Sequence, residues 1–193
     1  MMELVLAPDG RLETQLEKFD VGAMHPAPVA LDMIDLMNKH NGLGLSANQV
    51  GFPWQIFVMK AVINKQFGSP LVVINPVIKG LSQEIEPGIE GCLSHPDLFL
   101  KVRRPISCMA EFDTLTSDFK NVIHVEAKFD DIDARIFLHE YDHLYGIQYI
   151  DRVSKLKLEM AEKKRQKKQK RKVYGWTQQR TTGSFWKGFE RRH

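Results

Sequence analysis

The chain has 193 residues, of which 43% are hydrophobic, enough for one domain of ordinary size plus an appendage. No apolar run approaches the roughly 18 residues that a membrane-spanning helix needs, and residues 1–20 contain acidic side chains and no long apolar stretch, so no signal peptide is predicted. Cys92 and Cys108 are the two cysteines and do not make a disulfide framework. We therefore expect a reducing, cytoplasmic compartment.

Charge is distributed unevenly along the chain. Residues 152–193 contain 15 Lys/Arg and 3 Asp/Glu, a net charge of +12, whereas residues 1–151 carry a net charge of −9. Eight of the ten residues in 163–172 are basic. We predict a body over residues 1–153 and a basic helix and tail over residues 154–193 with a polyanionic partner. A solvated tail without a partner is the alternative.

Three helices and four strands are predicted from apolar spacing and from β-branched or aromatic runs. In chain order they are a helix at Pro26–Asn41, strands at Gln55–Val62, Leu71–Asn75, Pro105–Phe112 and Asn121–Phe129, a helix at Asp131–Gly146 and a helix from Ser154. We expect Asn41-Gly42 to end the first helix, because glycine tolerates the left-handed conformation. Asp130, Asp131 and Asp133 suit the first turn of the second helix electrostatically. This order favours an α+β fold, with mixed or antiparallel sheets around a central metal-binding helix.

The second predicted helix contains the sequence His139-Glu140-Tyr141-Asp142-His143. Side chains four residues apart on a helix lie on one face about 6 Å apart. Two imidazoles at this spacing can bind one metal ion, and the intervening glutamate is placed to act as a base. Two histidines on a solvated helix face are the structural alternative.

A hydrolytic metal site usually has three protein ligands and an open position for water. The histidine that follows a downstream glycine in one metalloprotease class is replaced here by Tyr149. Glu159 or Glu162 could complete the site of a zinc endopeptidase, although both lie beside the basic run. Cys92 could complete a Cys/His/His set, which both Zn²⁺ and Fe²⁺ accept, or it could be a buried structural cysteine.

A glycine-rich segment, Gly42-Leu43-Gly44-Leu45-Ser46-Ala47-Asn48-Gln49, follows a helix and leads toward a strand. A dinucleotide-binding loop instead runs from a strand into a helix. Small residues permit a close approach of backbone to a ligand, and Gln49 could donate to an oxyanion. The structural alternative is a glycine-rich turn with a solvated glutamine.

These three segments, in this order, resemble the signature motifs of peptide deformylases: Gly-x-Gly-apolar-x-Ala-x-Gln, Glu-Gly-Cys-Leu-Ser and His-Glu-x-x-His. The resemblance extends from Leu4 to about Asp151. It implies a metal-dependent hydrolase that removes the N-formyl group from the N-terminal methionine of new polypeptides and releases formate. In such an enzyme a metal-bound water is the nucleophile. One divalent metal is implied, Fe²⁺ or Zn²⁺, with Ni²⁺ or Co²⁺ able to substitute.

The resemblance also implies roles for individual residues. It implies metal ligands at Cys92, His139 and His143, an acid/base at Glu140, contacts to the reacting carbonyl from Gln49 and the Leu93 N–H, substrate contacts at Gly44 and Glu90, and support of Glu90 by Arg104. By position, Leu43, Ile132 and Ile136 are candidates for an apolar methionine slot or for ordinary core packing.

The chain departs from the family pattern at two positions near these motifs. Ser46 stands where the family usually has alanine, and Phe99 stands where some members have an arginine near the peptide backbone. No counterpart is recognised after about Lys163. Because nascent chains leave the ribosome, whose surface is largely RNA phosphate, we expect the basic tail to contact the ribosome or RNA. A non-catalytic RNA-binding protein with a vestigial metal site is a further alternative.

Overall fold

The computed structural model describes residues 2–63 and 70–182, and for residues 171–182 the backbone alone. These residues contain three α-helices, α1 (Ala27–Lys39), α2 (Asp131–Leu144) and α3 (Lys155–Thr182). The strands are β1 (Gly44–Ser46), β2 (Ile56–Met59), β3 (Leu71–Leu81), β4 (Ile85–Cys92), β5 (His95–Pro105), β6 (Ser107–Leu115) and β7 (Val122–Asp130). The end of the predicted tail, residues 183–193, lies outside the described residues. Among the helices described, none combines the length and apolar character required to cross a membrane.

Two antiparallel sheets account for the seven strands. Five strands form one sheet in the order β1-β2-β3-β6-β7, and β4 pairs with β5 as a separate two-stranded sheet. Every pairing between these strands is antiparallel, so the expected α+β class is confirmed with antiparallel rather than mixed sheets. Antiparallel neighbours need only short turns, in keeping with the brief connections from β4 to β5 and from β6 to β7.

Helix α2 lies against strands of both sheets and contributes to the main core. It contacts β1, β2, β6 and β7 of the larger sheet and β5 of the smaller one. Phe137 is fully buried; its ring stacks on Phe129 at a centroid distance of 4.7 Å and meets Phe57 edge-on at 5.2 Å. These aromatic contacts fix the rotation of α2 about its axis. The opposite side of the helix, with His139 and His143, consequently turns toward β4 and β5.

Sequence patterns missed the β4–β5 hairpin and the short strand β1. Strand β4 includes exposed apolar side chains such as Ile89, at 66% exposure, and lacks a clean alternation of buried and exposed positions. Strand β5 alternates from Leu98 to Arg104, but it exposes Phe99 and buries Arg104, so the apolar pattern in its sequence does not show this. Strand β3 also extends six residues beyond the predicted end at Asn75, through Pro76. Asn75 has a positive φ of 50° and the register shifts between Ile74 and Val77. This bulge carries the strand past the proline.

Helices α1 and α2 are each followed by a residue with a left-handed backbone conformation. After α1 it is Asn41, with φ 55°, that turns the chain, and not the predicted Gly42. Asparagine tolerates this conformation better than most residues. After α2, Gly146 has φ 69°, and a Cβ there would overlap the carbonyl of Glu13. The glycine is therefore required both by its conformation and by close packing.

The start of α3 packs on the body. Leu158 and Ala161 contact a buried cluster formed by Leu98, Leu100, Val102 and Tyr149. The predicted boundary after residue 153 therefore separates two segments that contact each other. The division into a body and a basic tail stays a prediction.

We predict that Leu158→Ala lowers the free energy of unfolding by about 1–2 kcal/mol, less than for a fully buried leucine because Leu158 is only partly buried. Leu156, two residues earlier and 67% exposed, is the matched control. Leu156→Ala should change stability by less than about 0.5 kcal/mol. Urea unfolding of both variants measures the difference. Equal losses would mean that α3 does not dock through the Leu158 face.

Candidate metal centre

Three side chains from two elements meet beside α2. The potential ligand atoms of Cys92, His139 and His143 all lie within 4.8 Å of one another. Cys92 is the last residue of β4, and its Sγ is 3.4 Å from Nε2 of His143. Among the described residues this is the group of His, Cys, Asp and Glu side chains that could hold a metal ion. Glu159 and Glu162 of α3 do not belong to it, which removes support for the endopeptidase alternative.

Glu90 orients one of the two histidines. Its Oε2 lies 3.0 Å from Nδ1 of His139, so the Nε2 of that ring is left to face the group. Arg104 donates to both Glu90 oxygens at 2.7 and 2.9 Å, and Arg135 donates to Oε1 at 2.8 Å. Burial alone would raise the pKa of Glu90, but hydrogen bonds from His139 and Arg104 lower it to about 2. These contacts favour a role in orienting His139 over the expected substrate contact.

Arg104 also binds a second buried carboxylate. Its Nη1 donates to Oδ2 of Asp142 at 2.7 Å and to the carbonyl of Leu138 at 3.2 Å. Arg152 donates to Asp142 from the other side. The side chain of Arg104 is 3% exposed, so this ion network ties β5 to α2 in a region that excludes water. Breaking one member would leave a buried charge without its partner.

Gln49 is held so that its amino group faces the cysteine. Its Oε1 accepts a hydrogen bond from the backbone N–H of Ser46 at 2.8 Å. Its Nε2 consequently points the other way and donates to Cys92 Sγ and to Ser94 Oγ, both at 3.1 Å. The glutamine is 1% exposed and is not the solvated residue of the structural alternative.

The Glu140 carboxylate is 4% exposed and lies against β1. A Cβ at Gly44 would overlap its Oε1, so only glycine permits this approach. Ser46 Oγ donates toward Oε2 of Glu140 at 3.0 Å. Burial raises the pKa of Glu140 to about 7, although the charge on His139 and the Ser46 hydrogen bond act in the opposite direction. A carboxyl group with a pKa in this range can both accept and return a proton near neutral pH.

A cleft of about 730 Å³ opens over these residues. Its lining includes the predicted site residues Leu43, Gly44, Gln49, Glu90, Cys92, Leu93, Ile132, Ile136, His139 and Glu140. Leu43 is 48% exposed and Ile132 is 37% exposed, so neither is an ordinary core residue. Ile136 is buried at 6% exposure. Phe99 also lines the cleft at 62% exposure.

The surroundings of the Cys/His/His group fit a cation. Burial disfavours a charged His139, yet its hydrogen bonds with Cys92 and Glu90 raise its pKa to about 10. The position therefore favours positive charge. Burial, followed by the charge on His139, lowers the pKa of His143 well below its ordinary value and keeps that ring neutral, the form that binds metals. A thiolate with two imidazoles suits Zn²⁺ or Fe²⁺.

Three contributors to the site were missed from sequence. Asp142 lies three residues after His139, a spacing that places both on one side of the helix and could have identified it. Ser94 was quoted only as part of a motif. Arg135 reaches Glu90 and the carbonyls of Glu86 and Val102, contacts between distant segments that no local pattern reveals.

An α+β fold with a glutamate beside a Cys/His/His group defines a metal-dependent hydrolase. The family model of polypeptide deformylases matches residues 1–159. The chain therefore belongs to the polypeptide deformylase family, whose members remove the N-formyl group from nascent peptides in a metal-dependent reaction.

Individual relatives agree with the family assignment. Peptide deformylase from Agrobacterium fabrum is 35% identical over 170 residues, which cover 88% of this chain and 97% of that protein. Peptide deformylase 1B, chloroplastic/mitochondrial, from Arabidopsis thaliana is 33% identical over 174 residues, covering 86% of this chain. The match spans 62% of that plant protein, less than two thirds of its length. The crystal structure of Arabidopsis peptide deformylase 1B with inhibitor 21 has a TM-score of 0.73 at 32% identity, covering 90% of this chain and 93% of that one.

We predict that Arg104→Leu lowers the free energy of unfolding by about 3–5 kcal/mol, because Glu90 and Asp142 lose their shared buried partner. Metal affinity should fall about 10–100-fold through the loosened His139. Lys79→Ala is the control, because Lys79 is 46% exposed and pairs with Glu111 at 3.0 Å on the surface. It should cost less than about 1 kcal/mol. Chemical denaturation and metal titration measure both, and equal effects would contradict a network that supports the site.

Proposed function

We propose that this chain deformylates N-formylmethionyl peptides in the cleft over α2, with Cys92, His139 and His143 holding one divalent metal. The observation that carries the proposal is the convergence of these three donors within 4.8 Å, beside the buried Glu140 carboxylate. Fe²⁺ and Zn²⁺ both suit this donor set, and Ni²⁺ or Co²⁺ could substitute. When bound, a dication lowers the pKa of water to about 7 and stabilises negative charge on a carbonyl oxygen.

Glu140 acts as the general base and then as the general acid. Its carboxylate takes a proton from the water that attacks the formyl carbon and returns it to the amine nitrogen. The carbon–nitrogen bond then breaks, and formate and a free N-terminus are released. The raised pKa of Glu140, about 7, supports this role, since one group must serve both steps at one pH.

Gln49 and Leu93 stabilise the carbonyl oxygen as it gains negative charge. The Gln49 Nε2 is preorganised, because its Oε1 is held by the backbone of Ser46 and cannot exchange places with the amino group. Its two N–H groups contact Cys92 and Ser94, and one of them exchanges that acceptor for the carbonyl oxygen of the substrate. Leu93 follows Cys92 directly and lines the same cleft, where its backbone N–H is a second donor. Each such donor typically contributes a factor of about 10²–10³ in rate.

The substrate backbone lies between β1 and the β4–β5 hairpin. In the described sheets β1 is an edge strand, and β4 pairs with β5 alone. Both therefore have a free edge for a peptide in extended conformation, and Gly44 supplies main-chain contact there. Leu43, Ile132 and Ile136 form the apolar slot for methionine. The partial exposure of Leu43 and Ile132 in the cleft supports a ligand-facing role.

The basic tail contacts ribosomal RNA. Lys163, Lys164, Lys167, Lys168 and Lys170 are all exposed on α3, beyond the turns that pack on the body. Their charges are thus available to replace phosphate counterions. Docking of Leu158 holds the start of α3 on the enzyme, so the helix carries its charge at a defined place on the body.

We predict that Cys92→Ala loses most bound metal, because two imidazoles alone make an incomplete site. Cys108→Ala is the matched control: Cys108 is the other cysteine, buried in β6 at 2% exposure and absent from the ligand group. It should keep one metal per chain. Metal analysis after gel filtration distinguishes the two, and equal metal content in both variants would refute the ligand assignment.

Glu140→Gln should retain the metal and lose nearly all turnover, because an amide cannot shuttle the proton. Formate release from formyl-Met-Ala-Ser measures the reaction, and an internal peptide substrate tests for endopeptidase activity. We expect the native chain to act on the formyl peptide alone. Normal turnover by the metal-loaded variant, or faster cleavage of the internal peptide, would overturn the proposed function.

Replacing the eight basic residues in 163–172 by Gln should weaken association with ribosomes while helix propensity is retained. A plot of log affinity against log salt concentration should be linear for the native chain, with a slope of about −0.7 per phosphate contact for single-stranded RNA. The variant should show a shallower slope. Formate release and the unfolding midpoint serve as controls and should not change. Equal affinities at low salt would identify the tail as a solvated face.

A further inference from the structure

Ser46 touches two of the side chains assigned to the reaction. It is the last residue of β1 and is fully buried. Its backbone N–H donates to Gln49 Oε1 at 2.8 Å. Its Oγ lies 3.0 Å from Oε2 of Glu140 and also 3.0 Å from the Glu140 carbonyl oxygen. The backbone of one residue thus orients the glutamine, and its hydroxyl contacts the glutamate.

The two oxygens of the Glu140 carboxylate consequently have different surroundings. Oε2 accepts from the Ser46 hydroxyl, whose single proton it shares with the Glu140 carbonyl oxygen. Oε1 lies over Gly44, at the place where a Cβ would be, and Gly44 lines the cleft. The first oxygen therefore contacts a residue that does not line the cleft, and the second lies against one that does.

We propose that Ser46 is a positioning residue: its hydroxyl anchors Oε2 of Glu140 so that Oε1 faces the substrate and transfers the proton. The inference rests on the proposed role of Glu140 and adds which of its oxygens reacts and what holds it there. Proton transfer needs a heavy-atom distance of about 2.6–3.2 Å, so a carboxylate free to rotate would spend less time in reacting geometry.

The Glu140 carboxylate has a rotational freedom that the Ser46 hydroxyl restricts. A glutamate side chain has three torsions, and its terminal torsion is broad, so packing alone does not fix the plane of the carboxylate. Hydrogen bonds to ionised groups are among the stronger ones in proteins, so this contact can favour one orientation. Ser46→Ala removes the hydroxyl alone and keeps the backbone N–H that binds Gln49, so the fold should be retained.

The first test compares Ser46→Ala with a matched loss of a buried hydroxyl elsewhere. Thr114 is 1% exposed and donates to the carbonyl of Val72 at 2.6 Å within the sheet, and Thr114→Val removes that bond. We expect Ser46→Ala to lower kcat about 10-fold, with KM and metal content unchanged. Thr114→Val should lower the unfolding midpoint and leave kcat unchanged. An undiminished kcat in Ser46→Ala, or an equal loss in both variants, would overturn the inference.

Two further measurements separate positioning from general support. In the crystal structure of metal-loaded Ser46→Ala, the Glu140 carboxylate should be rotated while Gln49 stays in place, because the backbone N–H remains. In a Glu140→Asp background the shorter side chain no longer reaches the hydroxyl, so Ser46→Ala should have little further effect on kcat. An unmoved Glu140, or the same 10-fold loss in both backgrounds, would contradict the proposal.

Failure of this inference is distinguishable from failure of the proposed function. If Glu140→Gln retains full turnover, the assigned acid/base is wrong and Ser46 has nothing to position. If Glu140→Gln is inactive and Ser46→Ala is fully active, the proposed function stands and the positioning role alone is overturned.

Discussion

The structure depends on one constraint: α2 is buried on most of its surface and yet carries five ionisable side chains in that buried surface. Asp133, His139, Glu140, Asp142 and His143 are each at most 7% exposed. A buried charge without a partner costs several kcal/mol, so the charged members of this set require specific contacts from other elements. His143 is the neutral member, and its Nδ1 has no hydrogen-bond partner among the described residues.

The partners come from segments far apart in sequence. The N–H groups of Val62 and Ile63, after β2, bind Asp133, which is why this residue is buried and not simply a favourable charge at the helix start. Arg104 on β5 forms ion pairs with both Asp142 and Glu90. The contacts that stabilise α2 are consequently also those that orient the candidate metal ligands.

The side chains of His139, Glu140 and Gln49 have two polar atoms each, and in each case at least one of them is held by a hydrogen bond with a supporting residue. His139 turns one ring nitrogen to Glu90, and its other ring nitrogen faces Cys92 and His143, the other two candidate ligands. Glu140 accepts from Ser46 through one oxygen and lies against Gly44 with the other. Gln49 is held at both ends, its oxygen by the backbone of Ser46 and its amino group by Cys92 and Ser94. These contacts fix each side chain in position beside the cleft.

The sequence by itself determined the local features: the three helices, four of the seven strands, and the motifs containing Cys92, Gln49 and Glu140. Helical spacing places His139 and His143 together without any distant information. Tertiary structure alone decided what those residues contact. The sharing of Arg104 between two carboxylates and the contact from Ser46 to Glu140 join residues 14 to 94 positions apart. Such contacts follow from how whole elements pack, and no local pattern of residues encodes them.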